Sequence, residues 1–139
     1  MKTTHIFTYG SLMYDPVWQS LVTQNYAFQT GLVRGFTRKS VVQQTYPALI
    51  PSAHTASCVS GKVYLNVSAE DCIKLDAFEG EEYDRISLKV ELETGGQILA
   101  DTYVFKPEFY HRVDKSDWSV AEFEKQGLNQ FLQHYKGFK

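Results

Sequence analysis

The chain has 139 residues, 43% of them hydrophobic and 22% charged, with a net charge of -2. This is the composition of an ordinary globule, and one domain spanning 1–139 is long enough to bury about two-thirds of its unfolded surface. The charge excludes the basic footprint of a nucleic-acid binder or of a protein drawn to an anionic membrane, and no apolar run approaches the roughly 20 residues of a bilayer-spanning helix.

Met1 leads directly into a strand-like segment, with no charged start, long apolar core or small-residue cleavage site. A cytoplasmic location is therefore expected. Cys58 and Cys72 lack C-x-x-C spacing and read as two reduced core thiols. Residues 4–9 read as a strand. Asp15-Pro16 marks a helix start, with Asp as cap and Pro at the first helical position, and a short helix through Trp18, Leu21 and Val22 follows. Segments 31–43 and 57–67 are rich in Val, Tyr and Thr and read as strands, while Tyr46-Pro47-Ala48 between them reads as a turn or rigid loop. Ser68 caps a helix over 69–79 that ends at Gly80.

Ile86, Leu88, Val90 and Leu92 alternate with Ser87, Lys89 and Glu91, the pattern of a half-buried strand. Gly95-Gly96 turns it into a second strand, 97–105, as a hairpin. Ser119-x-x-Glu122 resembles a capping box. The helix it opens has an apolar stripe of Val120, Phe123, Leu128, Phe131, Leu132 and Tyr135. The content is α+β, and the hairpins favour a largely antiparallel, barrel-like sheet.

Two places can carry chemistry. The first is the turn Thr8-Tyr9-Gly10-Ser11-Leu12, where glycine permits a sharp turn that exposes consecutive N–H groups to an anion. Such a turn is also a common structural device. It lacks the G-x-x-x-x-G-K-[ST] phosphate pattern, and Ser11 lacks the second glycine of a G-x-S-x-G nucleophile. The second is Glu79. Cys72, Leu75 and Glu79 stand at i, i+3 and i+7, which sets a carboxylate on the apolar face of the helix, in its last turn. Burial and the helix dipole both push its pKa upward, toward the range of a general base. A frayed helix end with Glu79 in water fits the same pattern.

Glu81 and Glu82 follow the cap and read as solvated. Arg85, two residues beyond Tyr83, reads as a surface ion pair with a neighbouring acid. The four histidines, His5, His54, His111 and His134, show no ligand spacing, so no metal is expected.

In order along the chain stand Tyr9-Gly10-Ser11-Leu12, Tyr46-Pro47-Ala48-Leu49, Gly61-Lys62-Val63-Tyr64, Leu75-Asp76-Ala77-Phe78-Glu79-Gly80 and Tyr83-Asp84-Arg85, and then Trp118 before a Phe-Leu helix. Each piece is common, but the ordered set resembles the γ-glutamylcyclotransferase-like superfamily, especially its short avirulence-induced-gene-like branch. The resemblance covers nearly the whole chain. It implies a small mixed, largely antiparallel β-barrel flanked by helices, with a cavity at one end. It also implies that Tyr9, Gly10, Ser11 and Leu12 bind a γ-glutamyl group and that Glu79 is the proton acceptor. Tyr103 resembles a cavity-lining tyrosine of the family.

The implied reaction closes the γ-glutamyl group of a small γ-glutamyl amino acid or amine to 5-oxoproline and releases the amine. No cofactor is required, and the partner implied is that small molecule. A non-catalytic metabolite-binding or stress-response module using the same cavity is the competing reading. A hydrolase using Ser11 or a cysteine ranks below both, because no base accompanies either residue.

Overall fold

The computed structural model describes residues 2–54 and 56–127. Five strands close into a barrel: β1 (Thr3–Thr8), β2 (Phe28–Arg34), β5 (Cys58–Ser68), β6 (Tyr83–Leu92) and β7 (Gln97–Phe105), in the order β1-β5-β2-β6-β7. Every pair is antiparallel except β1 with β7, whose parallel contact at Ile6 and Asp101 closes the ring. A second, three-stranded sheet has the order β4-β3-β8, from β3 (Phe36–Val41), β4 (Pro47–Pro51) and β8 (Val113–Asp117). Helices α1 (Asp15–Leu21) and α2 (Ala69–Glu79) complete the outer layer, and a short helix α3 (Val120–Glu122) follows β8. The α+β barrel expected from the sequence is the fold observed.

Alternation along the strands divides the core in two. Phe7, Val33, Val59, Val63, Val90 and Ala100 pack together in one cluster. Their chain neighbours Ile6 and Tyr64 belong to the other, with Trp18, Leu75, Tyr103 and Phe105. Helix α1 is held there by Trp18, stacked on Tyr64 with ring centroids 3.7 Å apart and planes 8° from parallel. Helix α2 is held by Cys72 and Leu75, both buried as their spacing predicts.

Several boundaries differ from the sequence reading. The segment 31–43 is two strands in different sheets, because Gly35 takes φ +81° and sends the chain out of the barrel. Pro47 opens strand β4 rather than a turn, a position that suits proline because β4 is an edge strand. Helix α1 is capped by Tyr14, with Asp15 inside the helix. Strand β6 starts at Tyr83, and Ile86 is exposed while Val90 is buried. Cys58 is exposed at the start of β5, so only Cys72 is a core thiol. Ser119 accepts a hydrogen bond from the Glu122 N–H, as a capping residue should. Leu128, Phe131, Leu132 and Tyr135 lie outside the described residues.

One close approach fixes the end of β1. A Cβ on Gly61 would lie 1.9 Å from the Thr8 carbonyl oxygen, one residue before the Tyr9–Leu12 loop. Gly61→Ala is therefore expected to lose stability by about 1–3 kcal/mol through forced displacement of β1. The exposed neighbour Ser60→Ala should stay within about 0.5 kcal/mol of wild type. Urea unfolding midpoints of the two variants check both outcomes.

Candidate active site

The loop after β1 is fastened at each residue. Thr8 donates its hydroxyl to the Lys62 carbonyl (3.0 Å). The Tyr9 carbonyl accepts from Arg38 Nη1 (2.6 Å), and the Tyr9 hydroxyl donates to the Tyr103 carbonyl (2.5 Å). Gly10 packs against Pro47, where a Cβ would meet Pro47 Cγ at 2.7 Å. The Gly10 and Ser11 carbonyls accept from the N–H groups of Met13 and Tyr14, which winds Ser11–Met13 into one 3-10 turn. Ser11 and Leu12 are buried.

Helix α2 brings the carboxylate. Its start is fixed by the Ser68 hydroxyl, which accepts from the Asp71 N–H, and by the buried Asp71 carboxylate, which accepts from Tyr26 Oη at 2.6 Å. Its end is the turn at Gly80, φ +81°, whose N–H donates to the Asp76 carbonyl. Glu79 is the last helical residue. It is half-buried, and it lines both a cavity of about 290 Å³ and an adjoining one of about 20 Å³. The smaller cavity is walled by Tyr9, Gly10, Ser11, Leu12 and Tyr103; the larger includes Ser11, Tyr46, Tyr83, Phe109 and Arg112. All six residues singled out in the sequence thus meet around one space.

Among the described residues the Glu79 carboxyl has no hydrogen-bond or ion-pair partner. Burial, and secondarily the Asp76 carboxylate, push its pKa up to about 8 from the ordinary 4.5. Burial likewise raises the phenols of Tyr9, Tyr83 and Tyr103, so all three are neutral. Each spends its proton elsewhere. Tyr83 donates to the Pro47 carbonyl at 2.7 Å and Tyr103 to Asp76 Oδ1 at 2.7 Å.

The sequence reading missed the far wall. Glu82 is not solvated: it accepts from Tyr46 Oη (3.1 Å) and forms an ion pair with Arg112. The pairing defeats the local reading because Arg112 belongs to another element, the 3-10 segment Pro107–Arg112. Arg85 is ion-paired, as expected, but with Asp76 of α2 (2.9 Å) and Asp101 of β7 (2.8 Å) rather than with an acid beside it in the chain. No group of three or more His, Cys, Asp or Glu side chains able to hold a metal occurs among the described residues.

Residues 6–120 match the model of the family described as gamma-glutamyl cyclotransferase, AIG2-like. The chain belongs to that family. AIG2-like protein D of Arabidopsis thaliana is 31% identical over 125 residues, covering 86% of this chain and 81% of that protein. An AIG2-like protein from Mus musculus superposes with a TM-score of 0.65 at 24% identity, covering 86% of this chain and 90% of the other. A gamma-glutamyl cyclotransferase superposes with a TM-score of 0.66 at 19% identity, covering 78% and 74%. At these identities the two structures establish a shared fold.

The raised Glu79 pKa has a thermodynamic consequence. Between the ordinary 4.5 and about 8, the folded protein keeps a proton on Glu79 that the unfolded chain has released. The stability supplied by this group is complete below that window and is lost as pH rises through it. Glu79→Gln should therefore gain stability relative to wild type as pH rises from about 5 to about 8, by at most about 1.4 kcal/mol per unit. Paired urea titrations across this range measure it; a flat difference would mean a solvated carboxyl.

Proposed function

We propose that the protein is a γ-glutamylcyclotransferase: it converts a small γ-glutamyl amino acid or amine to 5-oxoproline and the free amine, with Glu79 as general base. The observation that carries this reading is the Glu79 carboxyl, without a partner and with a raised pKa, in a cavity it shares with the Tyr9–Leu12 loop. The family match adds to it.

The substrate's α-ammonium group loses a proton to Glu79, and the amine attacks the γ-carbonyl carbon. A C–N bond forms within the molecule, closing a five-membered lactam, and the original amide C–N bond breaks. Two protons leave the attacking nitrogen and both end on the departing amine, so none is consumed. One carboxyl can carry them in turn. Because attack is intramolecular, the cavity's task is to hold the reactive rotamer. The small cavity beside residues 9–12 has room for about one water-sized group. That favours the γ-carbonyl oxygen as its occupant, with loop amides stabilising the oxyanion. Ser11 and Leu12 line this pocket beside Tyr9 and Gly10, and Tyr103 anchors the Tyr9 ring.

The test is 5-oxoproline release, followed by mass spectrometry over a panel of γ-glutamyl dipeptides and γ-glutamylamines. Glu79→Gln keeps the shape but cannot take the proton, and turnover should fall by about 10²–10⁴. Glu70→Gln, at the exposed start of the same helix, should leave turnover unchanged. In wild type, kcat/KM should rise with pH and level off above about 8, as Glu79 ionises. Glu79→Gln should lose that limb. Undiminished turnover in Glu79→Gln would refute the assignment of the base, and a wild-type protein that binds one panel member without turnover would be a binding module.

A further inference from the structure

The larger cavity contains a charge pair that the reaction described above does not use. Its lining includes Glu79, Glu81 and Glu82 and one cation, Arg112. The Arg112 backbone is set by a 2.8 Å hydrogen bond from the Val42 N–H to its carbonyl, which ties the 3-10 segment to the chain after β3. Its guanidinium is held across the cavity by Glu82 through Nη1. Glu82 in turn has the Tyr46 hydroxyl as a second donor. A guanidinium carries five N–H donors in a fixed fork, and the Glu82 contact occupies one nitrogen.

Every γ-glutamyl compound brings a carboxylate on the carbon that bears the attacking amine. The cavity beside the loop admits about one water-sized group, and the γ-carbonyl oxygen takes it. The α-carboxylate must then lie in the larger cavity, where, among the described residues, three acidic side chains repel it and one side chain, Arg112, attracts it. Glu79 and Arg112 line the same space of about 290 Å³, the size of a small-molecule site. We propose that Arg112, oriented by Glu82 and Tyr46, is the residue that binds the substrate's α-carboxylate and so fixes the α-carbon for ring closure. This rests on the cyclotransferase reading. It assigns Arg112 a positioning role by direct contact with substrate, and Glu82 a role through Arg112.

A set of substrates and variants tests it. γ-Glutamyl-alanine is compared with two analogues: one with the α-carboxylate converted to carboxamide, the other with the alanine carboxylate so converted. In wild type the first change should cost about 10–10²-fold in kcat/KM, the scale of a hydrogen bond to a charged group, and the second less than about threefold. In Arg112→Gln the penalty for the first change should disappear, the signature of direct coupling; in Arg112→Lys part of it should remain. Because Arg112→Gln strands the Glu82 carboxylate, the double variant Arg112→Gln/Glu82→Gln is measured alongside, and it should lose the same discrimination. A penalty that survives both substitutions overturns the proposal, as does coupling of Arg112 to the alanine carboxylate instead.

Binding of 5-oxoproline and of its carboxamide, by calorimetry, separates this idea from the reading beneath it. Tighter binding of the acid, lost in Arg112→Gln, would support the carboxylate site even if no γ-glutamyl compound turned over. Equal binding of acid and amide by wild type would refute the site even if cyclisation were robust.

Discussion

The site depends on a constraint of donors. Around Glu79 stand four phenols among the described residues, any of which could donate to a carboxylate and hold it ionised; Tyr46 donates to Glu82, and the other three are also committed elsewhere. Tyr9 donates to the Tyr103 carbonyl, Tyr83 to the Pro47 carbonyl and Tyr103 to Asp76. Each of these bonds also carries structure: they tie the loop after β1 to β7, β6 to β4, and α2 to β7. The same contacts that hold the cavity walls together therefore deprive Glu79 of compensation, and burial of an uncompensated carboxyl raises its pKa. A more generous pocket, with one phenol turned inward, would be a weaker base site.

Asp76 adds a second influence. It lies one turn before Glu79 on α2, where side chains three apart are neighbours. Its side chain is held by the Tyr103 hydroxyl and by Arg85. Arg85 thus acts on the site without lining either cavity, because it anchors the carboxylate that faces the base. The ion pair read from the sequence as a surface detail belongs to the electrostatics of the centre.

What could be read in the sequence was local. Cys72, Leu75 and Glu79 declared a face by their spacing, Ser68 and Gly80 declared the ends of α2, and alternation declared β6. The order of short motifs then identified the family. Gly35 escaped notice because the residues on both sides favour strands, and a period of two does not reveal a change of sheet. Pro47 reads as a turn because proline disrupts most strand positions, but it stands first in an edge strand, where a sheet accepts it. Glu82 and Arg112 were missed for another reason. Their partnership joins the turn after α2 to a 3-10 segment 30 residues later, and nothing in either neighbourhood records the other.

The parallel seam between β1 and β7 has a consequence for how the protein comes into being. The first strand finds its place beside a strand almost a hundred residues later, and the Tyr9–Tyr103 bond spans a sequence separation of 94. Contacts of such separation carry a loop-closure cost that must be met before they stabilise the fold, which slows folding. A chain emerging from the ribosome holds the loop early and the base-bearing helix midway, but the wall that orients them waits for β7. Until β7 is in place the walls that bury Glu79 are incomplete, because Tyr103 lies on that strand. The base acquires its character only when the ring shuts.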